Sequence, residues 1–229
     1  MIIAVTGLLR EARIVGGADV TVIAGGGDAA GLEAAIEAVV SGSAGVISIG
    51  LGGALAPGLR PGDWVVGSGV VTGRARIPTE SDWSGRLASR LSGAVVGDVV
   101  GSDAMVADAE AKAALHAATG ALVVDMESHI AARVAGRHGL SFAVARVISD
   151  AADRALPRAA QAGMRPDGGM DVLAVLKSLA ADPRQLPALI RTGLEAETAF
   201  RALFRGRQLL GGTLQALGPD LGELLVDVG

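Results

Sequence analysis

Short apolar runs rich in Val and Ile alternate along the chain with longer Ala-rich segments that carry scattered polar residues. The short runs are typical of strands buried on both faces, and the longer segments are typical of helices that cover a sheet. The predicted strands are Ile2–Thr6, Val20–Ile23, Gly45–Ile49, Trp64–Val71, Ala94–Val100, Ala121–Val124 and Phe142–Ile148. The predicted helices between them are Ala29–Val40, Asp82–Leu91, Asp108–Ala118 and Glu127–His138.

This alternation predicts a single α/β domain with a central mixed, mostly parallel twisted sheet flanked by helices. Two further helices are predicted at Asp171–Ala181 and Leu186–Leu210, the second with charged and apolar residues at helical spacing. The domain is therefore expected to span residues 1–210. Residues 211–229 have little charge pattern and are expected to form a partly disordered tail.

The composition narrows the classes of protein to which the chain can belong. Aromatic residues make up 2% of it, so the core is expected to consist of Ala, Val, Leu and Ile. The net charge of −4 without a basic cluster argues against a nucleic-acid partner. The absence of Cys excludes disulfides and cysteine nucleophiles. No apolar run reaches the roughly 20 residues that span a bilayer. We expect no signal peptide and a cytoplasmic location.

Two predicted strands end in acidic residues, at Asp125-Met126-Glu127 and at Ser149-Asp150. Ligands of α/β sheets bind beyond the carboxyl ends of strands, where a carboxylate can accept both hydroxyls of a ribose. An aspartate at a partly buried strand end is harder to ionise, so Asp150 is expected to carry a proton at neutral pH. The alternative is that these acids cap the segments that follow them.

Glycines follow two predicted strands, at Gly25–Gly27 and in a Gly-rich loop at Gly50–Gly53. Such glycines allow the backbone to approach a ligand and to offer amide donors to an anion. They do not form a dinucleotide fingerprint, because no G-x-G-x-x-G follows the first strand. The three histidines lack metal-ligand spacing, so no metal site is predicted.

Four segments occur in a characteristic order: Gly7–Glu11, Gly52–Asp63, Val124–Ser128 and Arg146–Asp153. In this order the sequence resembles the purine nucleoside phosphorylase and nucleosidase superfamily, which includes 5′-methylthioadenosine/S-adenosylhomocysteine nucleosidases. The resemblance implies a nucleoside phosphorylase-like fold and cleavage of the N-glycosidic bond of an adenosine-type nucleoside. The stretch Arg146–Pro157 and the extended C-terminal region are most similar to the hopanoid-associated phosphorylases. That likeness implies adenine release from adenosylhopane.

The resemblance also implies a role for each site residue. Glu127 would bind the ribose hydroxyls while Met126 packs against the sugar, and Asp150 would present a proton to the N7 side of the purine. Met105 could equally be an ordinary core residue. The remaining substrate-binding residues implied by the resemblance are Ser149, Met105, Val106, Leu51, Gly52 and Gly53.

The nucleophile is left open by the sequence. Nucleosidases of the family place a glutamate at the position of Ala12, and the neighbouring Glu11 would activate water if the loop shifts by one residue. Otherwise Glu11 only caps a helix. Leu51 stands where nucleosidases have a serine. Inorganic phosphate, held by the amides of Gly25–Gly27 and Gly52–Gly53 with Arg10 as charge partner, is the other candidate, and no cofactor is predicted.

The sequence leaves two alternative functions open, and it also suggests self-association and a membrane contact. The chain could be a nucleosidase for small 5′-thioadenosine or futalosine-like compounds, or a nucleoside-binding relative without catalysis, as Ala12 and Leu51 suggest. Family analogy implies a homo-oligomer, a dimer or larger. The charged face at 191–207 is expected to be solvated, with contact to an anionic membrane surface as the alternative. The residues expected to hold a hopanoid tail are Met164, Met170, Leu173 and Leu176.

Overall fold

The structure is a computed structural model that describes residues 1–18, 20–163, 165, 168, 169 and 171–211. In this part of the chain one sheet contains eight strands. They are β1 (Ile2–Thr6), β2 (Val20–Ala24), β3 (Gly45–Ala54), β4 (Trp64–Thr72), β5 (Ala75–Pro78), β6 (Val95–Gly101), β7 (Val123–Asp125) and β8 (Ser141–Asp150).

Helices follow or precede most strands. They are α1 (Leu9–Val15), α2 (Ala29–Glu37), α3 (Ser81–Arg90), α4 (Ala109–Thr119), α5 (Ser128–Arg137), α6 (Arg158–Ala162), α7 (Val172–Ala181) and α8 (Leu186–Leu209), with a short 3₁₀ helix at Pro183–Gln185 before α8. Among the described helices, each is either too short or too polar to cross a membrane.

The sheet consists of two parallel groups joined by antiparallel pairs. Strands β2, β1, β3 and β8 are parallel neighbours, as are β4, β6 and β7. Antiparallel pairing of β3 with β7 and of β4 with β8 closes β3, β8, β4, β6 and β7 into a ring. The predicted mixed, mostly parallel sheet flanked by helices is confirmed. The closure of five strands into a ring was not predicted from the sequence.

The prediction of a loop at residues 50–53 is wrong, because β3 continues through these glycines to Ala54. A Cβ on Gly52 would lie 2.7 Å from Val123 Cγ2 and 3.0 Å from the Val124 carbonyl oxygen. The missing side chain therefore allows β7 to approach β3 closely. The same extension brings the end of β3 beside the acidic ends of β7 and β8.

Apolar residues cover both faces of the sheet. One layer packs against α1, α3 and α8 and contains both tryptophans, Trp64 and Trp83. The other layer packs against α2 and α5 and contains mainly Val, Ile and Ala. Helix α8 belongs to the domain because Ala199 and Leu203 are buried in the first layer. Of the tail predicted at 211–229, all but Gly211 lies outside the described residues.

Candidate active site

A buried arginine on β8 gathers three carboxyl groups around it. Arg146 Nε donates to Asp125 Oδ2 at 2.6 Å, and Arg146 Nη2 lies 3.6 Å from Glu127 Oε2. Arg146 Nη2 also donates to Ser48 Oγ at 2.5 Å. The third carboxyl group is that of Glu11, which interacts electrostatically with the same guanidinium. All of these charged side chains are buried, and a buried guanidinium is tolerated where carboxylates surround it in this way.

Asp125, rather than Glu127, caps the helix that follows. Asp125 Oδ1 accepts from the backbone N–H groups of Glu127 at 3.0 Å and Ser128 at 2.8 Å, at the start of α5. The capping interpretation thus applies to Asp125 and leaves the Glu127 side chain outside the cap. Glycines make room for it, since a Cβ on Gly7 would lie 2.8 Å from Glu127 Oε1 and one on Gly25 would lie 3.3 Å from Glu127 Cγ.

Glu11 both supports its own helix and reaches the cluster. Its Oε2 accepts from the N–H groups of Gly7 at 2.7 Å and Leu8 at 3.0 Å, and its Oε1 accepts from Leu51 N at 3.1 Å. A Cβ on Gly50 would lie 2.6 Å from Glu11 Oε2 and 3.2 Å from Arg146 Nη1. Glu11 therefore points inward to the cluster from the first turn of α1.

Burial raises the pKa of both glutamates in this cluster. Desolvation raises the pKa of Glu11 above 4.5, with Arg146 and three backbone N–H groups opposing the shift. Desolvation also raises the pKa of Glu127 to about 8, against the attraction of Arg146 and with added repulsion from Asp125 and Glu11. The cluster also contains an unused donor, because buried Arg146 Nη1 has no hydrogen-bond partner among the described residues.

Asp150 ends β8 and contacts a buried lysine. Its Oδ2 accepts from Lys112 Nζ, and its Oδ1 lies 2.5 Å from Ser149 Oγ. Lys112, 38 residues away in the sequence, is a cation that the local sequence does not reveal, and it contacts the carboxyl group that was expected to present a proton to the base.

The other predicted residues occupy three different surroundings. Met126 is half-buried, with its methyl group 3.5 Å from the position of a Cβ on Gly27. Leu51 packs its side chain against the core and meets the cluster through its backbone N–H. A Cβ on Gly53 would lie 3.3 Å from Asp150 Oδ2, and one on Gly52 would lie 3.5 Å from Arg146 Cδ.

Met105 and Val106 lie between β6 and α4 and are both half-buried. Val106 packs against a small cluster that includes Val124 of β7. Ser149 Oγ lies 3.1 Å from the Gly52 carbonyl oxygen. The segment that carries Met105 is thus anchored next to the strand that leads to Asp125 and Glu127.

The predicted phosphate partners are engaged elsewhere. Arg10 is half-exposed, pairs with Glu197 at 2.7 Å and lies over the Phe200 ring at 4.0 Å. The N–H groups of Gly25 and Gly26 donate to the carbonyl oxygens of Thr6 and Gly7. The structure therefore does not support Arg10 as a phosphate ligand, because its guanidinium pairs with Glu197 of α8.

Sequence reasoning missed two site cations, Arg146 and Lys112. Arg146 had a visible signal, since it is a charged residue inside an otherwise apolar strand. Lys112 had none, because its burial depends on how α4 packs against the loop after β8.

The sequence matches a known protein family over most of its length. Residues 4–186 match the model of the phosphorylase superfamily. The chain belongs to this superfamily. It is therefore an enzyme of the phosphorylase and nucleosidase kind, as its sequence predicts.

Solved structures share the fold of this superfamily member. A 5′-methylthioadenosine/S-adenosylhomocysteine nucleosidase of Helicobacter pylori has a TM-score of 0.65 at 15% identity, over 94% of this chain and 96% of that one. A futalosine hydrolase of Helicobacter pylori has a TM-score of 0.60 at 16% identity, over 90% and 96%. An S-adenosylhomocysteine nucleosidase of Streptococcus pyogenes has a TM-score of 0.57 at 17% identity, over 85% and 95%. A comparison with curated proteins finds no match.

The raised pKa of Glu127 predicts a loss of stability with rising pH. The folded protein keeps the proton up to about pH 8, whereas an unfolded chain releases it near 4.5, so ionisation disfavours the folded state between these values. Glu127→Gln lacks this titration. Between about pH 5 and 8.5 it should lose on the order of 4 kcal/mol less free energy of unfolding than the wild type. Urea titrations at several pH values measure this difference.

The exposed Glu110 on α4 supplies the control, because Glu110→Gln should keep the wild-type slope of stability against pH. Equal slopes for Glu127→Gln and the wild type would contradict the raised pKa.

Proposed function

We propose that this superfamily member hydrolyses the N-glycosidic bond of an adenosine-type nucleoside and releases adenine. The observation that carries the proposal is the arrangement of Glu11 beside Glu127 and Arg146, with Asp150 and Ser149 at the end of the same strand as Arg146. The names of the similar structures, two nucleosidases and a futalosine hydrolase, agree with this reaction.

Glu127 is the proposed ribose ligand. Its carboxyl group is buried beside Gly7 and Gly25 and is not consumed by the helix cap. A carboxyl group in this position can hydrogen-bond a pair of ribose hydroxyls, while the thioether of Met126 covers the sugar. As the C1′–N9 bond breaks, the sugar acquires positive charge, and its hydrogen bonds to Glu127 keep C1′ oriented toward the nucleophile.

Water, rather than phosphate, is the proposed nucleophile. Among the amides that an anion could use, those of Gly7, Leu8 and Leu51 already donate to Glu11, and those of Gly25 and Gly26 donate to backbone carbonyl oxygens. A phosphate placed there would also meet two carboxyl groups, those of Glu11 and Glu127. A water molecule could instead bind Arg146 Nη1, which has no hydrogen-bond partner among the residues that the structure describes.

In the proposed step, the water oxygen bonds to C1′ and its proton passes to the Glu11 carboxylate, whose raised pKa makes it a stronger base. The C1′–N9 bond breaks, and its electron pair moves onto the base. The departing adenine takes up a proton at N7. Asp150 and Ser149 stabilise that proton, while Met105 and Val106 form the base-binding surface.

The proposed 5′ substituent is a long apolar tail, as in adenosylhopane. Gly168 contacts the start of α1, the helix that carries Glu11, since Leu9 N donates to the Gly168 carbonyl oxygen at 3.1 Å. Helix α7 starts four residues later, has no buried residue and exposes Leu173 (61%) and Leu176 (56%). Apolar surface next to a site favours an apolar ligand. Met164 and Met170, expected to share this role, lie outside the described residues.

The attack by water predicts that adenine release needs no phosphate. Glu11→Gln keeps the size of the side chain but removes the base, so its kcat should fall by roughly 10²-fold or more. Release of adenine is measured by absorbance or chromatography, with and without inorganic phosphate, and the sugar product is identified by mass. Glu195→Gln, on α8, is the control.

A sugar 1-phosphate as product, or a rate that rises in proportion to phosphate, would overturn hydrolysis. Full activity of Glu11→Gln would remove Glu11 from the mechanism.

The apolar tail predicts a substrate-dependent effect of Leu173→Asp on α7. An added charge should disfavour binding of the tail, so kcat/KM for a long-tailed 5′-alkyl adenosine should fall about 10-fold, equivalent to about 1.4 kcal/mol. Turnover of adenosine itself should stay unchanged. Val96→Asp, at a similarly exposed residue on β6 (56%), is the matched control.

A wild type that prefers small 5′-thioadenosines or futalosine-like compounds would favour the alternative substrate. Equal losses on both substrates in Leu173→Asp would also contradict the tail proposal.

A further inference from the structure

Lys112 is a buried cation on a helix that buries no other residue. Helix α4 is rich in alanine, yet its one buried side chain is this lysine, with no exposed area. A buried ammonium costs several kcal/mol of lost hydration unless other groups repay it. Apolar packing is therefore not the reason for its position. The chain has one other lysine, Lys177, which is exposed on α7.

All three donors of the Lys112 ammonium have acceptors. One is Asp150 Oδ2, and the others are the carbonyl oxygens of Ala151 at 3.2 Å and Arg154 at 2.9 Å. This set of acceptors matches a charged amine with three protons. The loop after β8 is also tied to the start of α4 by a separate bond, from Leu156 N to the Ala107 carbonyl oxygen. Attachment of the loop thus does not depend on Lys112 alone.

Asp150 is held on both sides. Lys112 donates to Oδ2 and Ser149 donates to Oδ1. These two hydrogen bonds restrict rotation of the carboxylate about the Cβ–Cγ bond. The neighbouring charges have other partners: Arg146 on β8 pairs with Asp125, and Arg154 on the following loop lies 3.8 Å from the Asp153 carboxylate. Lys112 is therefore the cation in direct contact with Asp150.

We propose that Lys112 is a positioning residue that keeps Asp150 ionised and oriented for the departing base. This inference rests on the proposed function. A fixed carboxylate accepts a hydrogen bond from N7–H once N7 has taken a proton from solvent, and so stabilises the base as the C1′–N9 electron pair moves onto it. The proton that Glu11 receives from water returns to solvent, which balances the proton taken up by N7.

The test compares Lys112→Met with Lys112→Arg, using Lys177→Met as the matched control. Adenine release is measured from pH 5 to 9. In Lys112→Met, kcat near neutral pH should fall by roughly 10²-fold while KM changes far less. The acidic limb of its pH profile should move to higher pH, because Asp150 without its cation binds a proton more readily. Lys112→Arg should restore part of kcat and return the limb toward that of the wild type.

A wild-type pH profile in Lys112→Met would overturn the proposal. So would a loss of activity without any shift of the limb and without rescue by arginine, since that pattern indicates a structural role alone. If Lys112→Met does not fold, the profiles of Lys112→Arg and the wild type still decide, because the arginine variant must keep the acidic limb at low pH.

A second measurement is independent of turnover. The ¹³C carboxyl resonance of Asp150, assigned with Asp150→Asn, should show an ionised group in the wild type at neutral pH, and protonation should begin at a higher pH in Lys112→Met than in the wild type. A protonated Asp150 in the wild type at neutral pH would overturn the role of Lys112. A wild type that ionises Asp150 but releases no adenine would instead contradict the proposed function.

Discussion

The pairing of Arg146 with Asp125 is the interaction on which the site depends. Both side chains are buried, and removing one member of such a pair typically costs about 3–5 kcal/mol because the other charge is left without a partner. Asp125 uses its second oxygen to cap α5. Asp125 both pairs with Arg146 and caps α5, so the Glu127 side chain does not serve as the cap. Arg146 Nη1 has no hydrogen-bond partner among the described residues and can donate to another group.

The carboxyl groups that fill the site support the proposal of hydrolysis over phosphorolysis on electrostatic grounds. Three buried acids face one guanidinium, and the excess negative charge is relieved by protonation, as the raised pKa of Glu127 indicates. Such a cluster disfavours a phosphate dianion and tolerates a neutral water molecule. The Glu11 carboxylate accepts hydrogen bonds from two amides in the loop after β1 and from one amide in β3. These three amides are therefore not available to a bound anion.

Much of the fold follows from local sequence. Alternating apolar runs and Ala-rich segments predict most strands and helices, because a strand buried on both faces and a covering helix differ in length and spacing. Asp150 and Glu127 are predictable in the same way, as acids that directly follow such runs. The prediction of a loop at residues 50–53 was wrong because clustered glycines occur both in loops and in strands that contact a neighbouring strand closely. The sequence alone does not distinguish the two.

Contacts between distant residues account for what sequence could not predict. Lys112 contacts Asp150 across 38 positions and Arg10 contacts Glu197 across 187, so neither pairing can be inferred from the residues next to it in the sequence. The inward direction of Glu11 depends on Leu51, whose backbone N–H becomes available where β3 approaches α1.

The most direct test of the account is a crystal structure with a non-hydrolysable adenosine analogue. We expect the ribose hydroxyls to lie within about 3 Å of the Glu127 carboxyl group and the N7 edge of the base at a similar distance from Asp150. A nucleoside bound elsewhere, or one whose ribose contacts neither Glu127 nor the Arg146 cluster, would contradict it.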